Sequence, residues 1–221
     1  MAPIVLAYWK IRGLAQPARL LLGYTKTDFE DRVYEIGDGP TYDRSCWLDV
    51  KNTLGLDFPN IPYLIDGDIK ITQSNAVMRY LGRKNKLDGE TEIEKVRVDI
   101  MENQAMDFRN GFVTMAYFAA TAEEFEQKKQ AYLEKIGDLL KKFDNFINGR
   151  KYFASNKLTY VDFIMYELLD QHRLFKTDIL QPYENLKAFM KSFEEIPEIA
   201  EFMKSDKCFK GPINNKMAWF K

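Results

Sequence analysis

Residues 60–81 read NIPYLIDGDIKITQSNAVMRYL and contain three structural signals in succession. Residues 63–65 are apolar and indicate a short buried strand, an Asp-Gly-Asp turn follows, and residues 69–71 resume an extended pattern. The first half of the stretch therefore predicts a β-hairpin. Apolar residues at helical spacing come next, and the polar residues 72–75 stand where that helix would begin. A helix that starts beside strand ends presents free N–H groups, which attract carboxylates.

Pro62 stands at the first position of the predicted hairpin. A proline there loses no ladder hydrogen bond that the strand needs. A cis bond between Ile61 and Pro62 would leave the backbone of residue 61 facing a ligand, although the bond state depends on context and not on proline alone.

The chain before the hairpin predicts a β-α-β start. Residues 4–8 form a continuous apolar run of the kind seen in a strand covered on both faces. Residues 16–23 carry Pro near the start of a predicted helix and Gly at its end, and residues 29–34 alternate as a second strand. With a short helix or turn in residues 42–49, the order is β-α-β-α-β-β-α, which resembles a thioredoxin-like domain.

The strand signal disappears after residue 84, where a polar, Gly-containing segment begins. We place a domain boundary there, with an N-terminal domain in residues 1–84, a linker in residues 85–91 and a C-terminal domain in residues 92–221. Beyond the linker, apolar residues recur at helical spacing. Those of the two longest predicted helices are Val96, Ile100, Ala105, Leu133, Ile136, Leu140, Phe143 and Ile147. Residues 159–162 (TYVD) have the shape of a capping box at the start of another predicted helix. The sequence thus predicts an α/β domain followed by an all-α helical domain.

Composition excludes several classes of function. The chain has 221 residues with 32 Lys+Arg against 33 Asp+Glu, so its charge gives no reason to expect nucleic acid as a partner. His172 is the only histidine, which leaves metal sites and catalytic triads poorly supplied, so no metal is expected. No signal peptide or membrane-spanning segment is evident, which predicts a cytoplasmic protein with no membrane partner.

Cysteine usage excludes thioredoxin chemistry. A thioredoxin carries Cys-x-x-Cys after its first strand, whereas residues 8–11 read YWKI here, so disulfide exchange at that place is ruled out. The two cysteines, Cys46 and Cys208, lie far apart and show no metal spacing, which fits a reducing compartment. Cys46 stays open as either an oxidisable thiol or an inert one.

Short motifs are spread along the chain from about residue 3 to its C-terminus. In order they are residues 8–9 (YW), 11–14 (IRGL), 19–22 (RLLL), 55–67 (GLDFPNIPYLIDG), 71–76 (ITQSNA), 102–104 (ENQ), 161–163 (VDF) and 216–218 (KMA). Together these motifs closely resemble the cytosolic glutathione S-transferases of the mu class. The resemblance implies conjugation of the glutathione thiolate to small hydrophobic electrophiles, a detoxification reaction. It also implies a homodimer and no cofactor beyond glutathione as co-substrate.

Tyr8 is the catalytic residue that this resemblance implies. In the family, a tyrosine at this place donates its hydroxyl hydrogen bond to the sulfur of glutathione. Such a bond favours the charged form and so lowers the thiol pKa, and the thiolate is the nucleophile. Without the family, Tyr8 would more often be a buried aromatic.

The resemblance also implies which residues bind the glutathione tripeptide. Gln73 and Ser74 would hold the γ-glutamyl carboxylate at the helix start, where the helix dipole adds about 0.3–1 kcal/mol. Ile61 would pair its backbone with the cysteinyl residue, assisted by Asn60. Capping of the helix alone is the alternative role of Gln73 and Ser74.

The glycyl end of glutathione would meet three further side chains. Trp47 and Lys51, with Arg44 nearby, would contact the glycyl carboxylate, because Arg and Lys give charge-assisted hydrogen bonds. Trp9 would line the same cleft. Asp107 would reach the amine of glutathione bound to the other subunit, and a surface carboxylate is its alternative.

The electrophile would occupy an apolar pocket beside the thiolate. The resemblance implies that it is formed by Trp9, Ile11, Leu14, Met106, Val113 and Tyr117. The hydroxyl of Tyr117 would hydrogen-bond an epoxide oxygen or a developing negative charge. Asn214 stands where a phenylalanine often caps the pocket, so the preferred electrophile stays open. Phe58 corresponds to the aromatic anchor that inserts into the partner subunit.

Two other readings stay open. Relatives of this fold include lens crystallins and ligand carriers, so a binding or structural protein is one alternative, since fold does not fix function. The retention of Tyr8, Gln73, Ser74, Asn60 and Lys51 favours an enzyme over that reading. An isomerase or peroxidase that uses glutathione would share all of these residues, and only an assay separates it from a conjugating enzyme.

Overall fold

The computed structural model describes residues 3–221, so the first two residues of the predicted N-terminal domain lie outside the described residues. The chain forms two compact units. The first contains the chain up to Asn85 together with Pro197–Met217 and Lys221, and the second contains Lys86–Ile196 and Ala218–Phe220.

The described residues form four strands and eight helices. In chain order these are β1 (Ile4–Trp9), α1 (Gln16–Tyr24), β2 (Phe29–Tyr34), α2 (Ser45–Leu48), β3 (Tyr63–Asp66), β4 (Ile69–Thr72), α3 (Ser74–Lys84), α4 (Glu92–Tyr117), α5 (Ala122–Ile147), α6 (Tyr160–Phe175), α7 (Glu184–Glu194) and α8 (Pro197–Lys204). The predicted order β-α-β-α-β-β-α, followed by helices, is confirmed.

The first unit is built on one mixed sheet in the order β2-β1-β3-β4. Strand β1 pairs parallel with β2 and antiparallel with β3, and β3 pairs antiparallel with β4. Leu6, Ala7 and Tyr8 are buried in succession, as expected of a strand covered on both faces. The first unit therefore has a central strand that ends in Tyr8 and Trp9.

Gly23 has a different role from the one its position predicts. The sequence predicts that Gly23 ends α1, but the helix continues to Tyr24. A Cβ at Gly23 would lie 2.3 Å from Cγ of Phe202, so glycine is needed for the close approach of α8. This contact packs α8 against α1, and residues 197–217 belong to the first unit, whereas the sequence places them in the C-terminal domain.

The second unit is a helical bundle with an aromatic core, and helix α4 shows how its faces divide. The spacing of Val96 and Ile100 helps to predict this helix from the sequence, but both side chains are exposed in the structure. The buried face of α4 instead carries Phe108 and Phe112, among others. The helical spacing predicted from the sequence is confirmed, and of the three apolar residues that indicated it only Ala105 is buried, because α4 has apolar residues on more than one side.

Helix α6 begins with a buried carboxylate. Asp162 accepts hydrogen bonds from the backbone N–H of Phe153 at 2.9 Å and of Thr159 at 2.7 Å, and from the Thr159 hydroxyl at 2.8 Å. Burial raises the pKa of Asp162 to about 6. The carboxyl group and its three donors fix the start of α6, as the capping pattern predicts.

Within residues 3–221, no helix combines the length and the apolar character that crossing a membrane requires.

Candidate active site

Strand register brings four of the predicted glutathione-binding residues, Tyr8, Ile61, Gln73 and Ser74, to one edge of the sheet. Ala7 on β1 lies opposite Tyr63 on β3, so Tyr8 is next to the residues that precede β3. Tyr63 in turn lies opposite Thr72, the last residue of β4. Gln73 follows Thr72 directly. The end of β1, the start of β3 and the start of α3 therefore meet at the same edge.

Tyr8 is buried at this edge, with 6% of its surface exposed. Its ring rests against Gly13, which has a φ of +40°. A Cβ on Gly13 would lie 2.6 Å from Cε1 of Tyr8 and 3.0 Å from its hydroxyl oxygen. The backbone at Gly13 thus limits where the Tyr8 hydroxyl can lie. The sequence did not single out Gly13, although the Arg-Gly pair after the first strand was part of a quoted motif.

The start of α3 has strained backbone. Gln73 is the N-cap residue and has a φ of +73°, while Ser74 is the first helical residue. A positive φ at a residue other than glycine costs about 1–3 kcal/mol and tends to occur at functional sites. Gln73 is exposed and Ser74 is half-buried. The contact of these two residues with a carboxylate stays a prediction.

The residues before β3 include the Ile61–Pro62 bond, whose state the sequence alone leaves open. The peptide bond between Ile61 and Pro62 is cis. The side chain of Asn60 accepts a hydrogen bond from the N–H of Ile61 at 2.9 Å. Asn60 therefore holds the backbone of Ile61, while the pairing of Ile61 with a bound peptide stays a prediction.

Trp47 lies in an aromatic stack and not on an open surface. Its ring centre is 5.4 Å from that of Tyr34 and 5.9 Å from that of Tyr63, and the two tyrosine hydroxyls are 3.0 Å apart. Burial, assisted by the bond to Tyr63, raises the pKa of Tyr34. Arg44 is exposed at the start of α2, and Lys51 is half-buried three residues beyond its end. The stack joins α2 to the sheet beside the edge that carries Tyr8.

A cavity of about 240 Å³ adjoins the end of β1. It is lined by Trp9, Lys10, Ile11, Glu35, Ile36, Phe209, Gly211, Pro212, Asn215 and Lys216. Of the electrophile contacts predicted in this unit, Trp9 and Ile11 line the cavity. Leu14 is half-buried and Asn214 is buried, and the neighbouring Asn215 faces the cavity. The apolar residues near the C-terminus were not selected from sequence, because no periodicity links them to the first strand.

Three of the side chains that line this cavity are charged, namely Lys10, Glu35 and Lys216. Lys10 pairs with Glu35 at 2.8 Å, and Lys216 pairs with Asp38 at 2.6 Å. The hydrogen bond from Lys10 lowers the pKa of Glu35, and the one from Lys216 lowers the pKa of Asp38. All four groups are exposed, so these pairs contribute little to stability.

The other predicted electrophile contacts lie on α4 in the second unit. Met106, Val113 and Tyr117 are half-buried, and spacings of seven and four residues place them on one face of the helix. Asp107 is exposed on the same helix. Their contacts with electrophile or glutathione stay predictions.

Phe58 is the most exposed of the large apolar side chains in the described chain, with 77% of its surface accessible. It lies in the segment before β3, next to Pro59. An aromatic residue exposed to this degree fits the predicted role of a dimer anchor.

The described residues contain no group of three His, Cys, Asp or Glu side chains that could hold a metal ion. Cys46 is exposed, and its thiol donates to the Glu35 carbonyl at 3.2 Å.

His172 is buried in the core of the second unit. Its Nε2 lies 2.6 Å from the Tyr132 hydroxyl, its Nδ1 lies 2.6 Å from the Leu168 carbonyl, and its ring stacks on Phe108 at 4.2 Å. Burial lowers the pKa of His172 to about 4. The ring is therefore neutral at physiological pH, with Nδ1–H donating to the carbonyl and Nε2 accepting from the tyrosine.

We expect His172 to make stability depend on pH. The imidazole of His172 has a pKa of about 4 in the folded chain and about 6.5 in the unfolded chain. Between these pH values the unfolded chain binds a proton that the folded chain excludes. The contribution of neutral His172 to the free energy of unfolding is therefore lost as pH falls. The full loss is about 3 kcal/mol. The free energy of unfolding, measured with urea, should decrease more between about pH 7.5 and about pH 5 for the wild type than for His172→Gln. Equal decreases in both proteins would contradict this assignment. Asp162, whose pKa is raised, acts in the opposite direction in both proteins and cancels from the comparison.

Comparison with known proteins places the chain among sequences that match over almost its whole length. Residues 4–83 match the family model described as "Glutathione S-transferase, N-terminal domain", and residues 106–206 match "Glutathione S-transferase, C-terminal domain". Glutathione S-transferase Mu 2 of Mus musculus is 52% identical over 218 residues, covering 99% of this chain and 98% of that protein. Glutathione S-transferase Mu 3 of Homo sapiens is 52% identical over 215 residues, covering 97% and 94%.

A solved structure is also similar to the chain. The crystal structure of the glutathione S-transferase Blo t 8 has a TM-score of 0.89 and 37% sequence identity, and the match covers 97% of this chain and 98% of that one.

Proposed function

We propose that this chain, which belongs to the mu class of the glutathione S-transferase family, joins the sulfur of glutathione to small hydrophobic electrophiles. Glutathione is the substrate of that family. The observation that carries the proposal is the strand register, which gathers Tyr8, Ile61, Gln73 and Ser74 at one edge of the sheet.

The proposed chemistry needs one hydrogen bond and one bound thiol. The Tyr8 hydroxyl donates to the glutathione sulfur, which favours loss of the thiol proton to solvent. The thiolate then attacks the electrophilic carbon, an S–C bond forms, and the leaving group departs with the electron pair. Rate enhancement comes from holding the two reactants together and from stabilising the thiolate.

The remaining residues are proposed as contacts of the two substrates. Gln73 and Ser74 bind the γ-glutamyl carboxylate, Asn60 and Ile61 the cysteinyl backbone. The glycyl carboxylate is bound by Arg44, Trp47 and Lys51. The amine of glutathione in the partner subunit is bound by Asp107. The electrophile is contacted by Trp9, Ile11, Leu14, Met106, Val113, Tyr117 and Asn214.

Several further features belong to the same proposal. Residues 1–84 would form the glutathione-binding domain, residues 85–91 the linker and residues 92–221 the domain that completes the electrophile pocket. The protein would be a cytoplasmic homodimer active in detoxification, and it would need no cofactor beyond glutathione. The apolar side chains that support a dimer are exposed in both units: Phe58 in the first, and Ile93, Val96 and Ile100 on α4 in the second.

The test is a conjugation assay with the full chain. Purified protein is mixed with glutathione and a chlorodinitrobenzene, and the absorbance of the thioether is followed. We expect turnover that saturates in glutathione. Binding of glutathione without any turnover would favour the carrier reading, and turnover of an organic hydroperoxide alone would favour a peroxidase.

Replacing Phe58 tests the proposed dimer. Phe58→Ala is expected to weaken association at least tenfold, because an exposed aromatic anchor is the kind of residue that carries about 2 kcal/mol or more of interface energy. Sedimentation velocity across a concentration series measures the effect. Ile69→Ala is the control, since Ile69 is another exposed apolar side chain of the same unit. An association constant that is the same in Phe58→Ala and wild type would reject Phe58 as the anchor.

A further inference from the structure

A buried charge lies behind the loop that follows Tyr8. Arg19 on α1 has no exposed side-chain surface, and its Nε donates to Asp31 Oδ2 on β2 at 2.9 Å. Its guanidinium carbon is 4.5 Å from the centre of the Phe209 ring. Arg19 Nη2 and Asp31 Oδ1 have no hydrogen-bond partner within residues 3–221. Such a pair adds little net stability, because desolvation of two charges offsets their attraction. The groups that Arg19 holds in place are therefore of greater interest than the ion pair.

Arg19 holds the loop of residues 10–15, which connects β1 to α1. Its Nη1 donates to the carbonyl oxygen of Ile11 in this loop at 2.8 Å, and also lies 3.4 Å from Gln16 Oε1. The fixed fork of a guanidinium can bridge Asp31 and the Ile11 carbonyl at the same time. A lysine ammonium at the same place is a single point charge, and it cannot reproduce that geometry.

The C-terminal tail binds the same loop. The N–H of Arg12 donates to the Pro212 carbonyl at 2.8 Å, and the N–H of Gly13 donates to the Ile213 carbonyl at 3.1 Å. Through the Phe209 ring, the tail also contacts the Arg19 guanidinium. Two N–H groups of the loop thus donate hydrogen bonds to the tail, and one carbonyl of the loop accepts a hydrogen bond from Arg19.

The held loop is the surface on which the phenol of Tyr8 rests. Gly13 in this loop approaches the Tyr8 ring so closely that a Cβ would lie within 2.6 Å of it. A shift of the loop by a fraction of an ångström would therefore move the Tyr8 hydroxyl.

We propose that Arg19 is a positioning residue, which fixes the loop of residues 10–15 through the Ile11 carbonyl and so fixes the Tyr8 hydroxyl against the glutathione sulfur. The inference rests on the proposed function, because Arg19 acts only through Tyr8. Arg19 touches neither substrate in this mechanism.

The test is Arg19→Lys, which keeps the positive charge opposite Asp31 and loses the fork. The thiol pKa of bound glutathione is measured from the ultraviolet absorbance of the thiolate, without electrophile. We expect that pKa to rise by about one unit and kcat near neutral pH to fall about tenfold, with little change in the KM for glutathione. Arg97→Lys is the matched control, because Arg97 in the second unit also donates to a backbone carbonyl, that of Ala154 at 3.2 Å. This control should leave the thiol pKa unchanged.

A double-mutant cycle separates positioning from a general loss of structure. Once Tyr8→Phe has removed the hydroxyl, adding Arg19→Lys should change the thiol pKa no further. Additive changes, or an unchanged pKa in Arg19→Lys alone, would overturn the inference. If Arg19→Lys does not fold, Phe209→Leu is used in its place. Loss of the ring beside the Arg19 guanidinium should also raise the thiol pKa of bound glutathione. An unchanged thiol pKa in Phe209→Leu would overturn the inference. A thiol pKa that Tyr8→Phe leaves unchanged would instead refute the proposed role of Tyr8.

Discussion

Replacing Tyr8 with phenylalanine is expected to lower kcat for conjugation about 100-fold near neutral pH, because a hydrogen bond to a charged group is worth about 1.5–3 kcal/mol. The lost bond is the one that the Tyr8 hydroxyl donates to the thiolate, so the thiol pKa of bound glutathione should rise as well. The KM for glutathione should change by less than about threefold, since other groups hold the tripeptide. Steady-state kinetics across a pH series measures all three quantities.

Tyr80→Phe is the control for this prediction. Tyr80 on α3 donates its hydroxyl to Asp66 at 2.6 Å, and Asp66 lies at the opposite end of β3 from the edge that carries Tyr8. The control also loses one tyrosine hydroxyl bond to a charged group and should lose about 1.5–3 kcal/mol of stability, but it should keep its turnover. Equal turnover in Tyr8→Phe and Tyr80→Phe would remove Tyr8 from the mechanism.

Replacing Gly13 with alanine is expected to have an effect of similar size. The added Cβ would lie 2.6 Å from Tyr8 Cε1, where no real contact of this kind is found, and the φ of +40° disfavours any residue with a side chain. The ring of Tyr8 must therefore move, and we expect kcat to fall at least tenfold together with a loss of about 2–4 kcal/mol of stability. Turnover and urea unfolding are measured on the same preparation.

Gly67→Ala is the matched control for Gly13→Ala. Gly67 lies in the β3–β4 turn with a φ of +61°, but a Cβ there meets nothing within 4 Å. The control carries the backbone cost of about 1–2 kcal/mol without a clash, so turnover should stay at the wild-type level. A Gly13→Ala protein that behaves like Gly67→Ala would show that Gly13 does not position Tyr8.

Elements with a strong local signal could be predicted from the sequence. The Asp-Gly turn gave the hairpin of β3 and β4, and the alternation of residues 29–34 matches the bounds of β2. Thr159 and Asp162 predicted the start of α6 for a reason the structure retains, since the carboxylate accepts the N–H of Thr159. In each case a few adjacent residues carry the whole signal.

Features that depend on contacts distant in sequence could not be predicted in the same way. The sequence predicts that Gly23 ends α1, because no residue close to Gly23 in sequence indicates its contact with the ring of Phe202. Arg19 and Gly13 belong to short sequence motifs, but their roles come from contacts with Ile11, Tyr8 and the tail, which the motifs do not reveal. Burial of Trp47 between two tyrosines likewise follows from packing, and not from spacing along the chain.

The most direct measurement is a crystal structure of the full chain with glutathione bound. We expect the sulfur to lie about 3.0–3.5 Å from the Tyr8 hydroxyl oxygen, with the γ-glutamyl carboxylate at Gln73 and Ser74. A tripeptide bound elsewhere, or a Tyr8 hydroxyl turned away from the sulfur, would contradict the proposed mechanism.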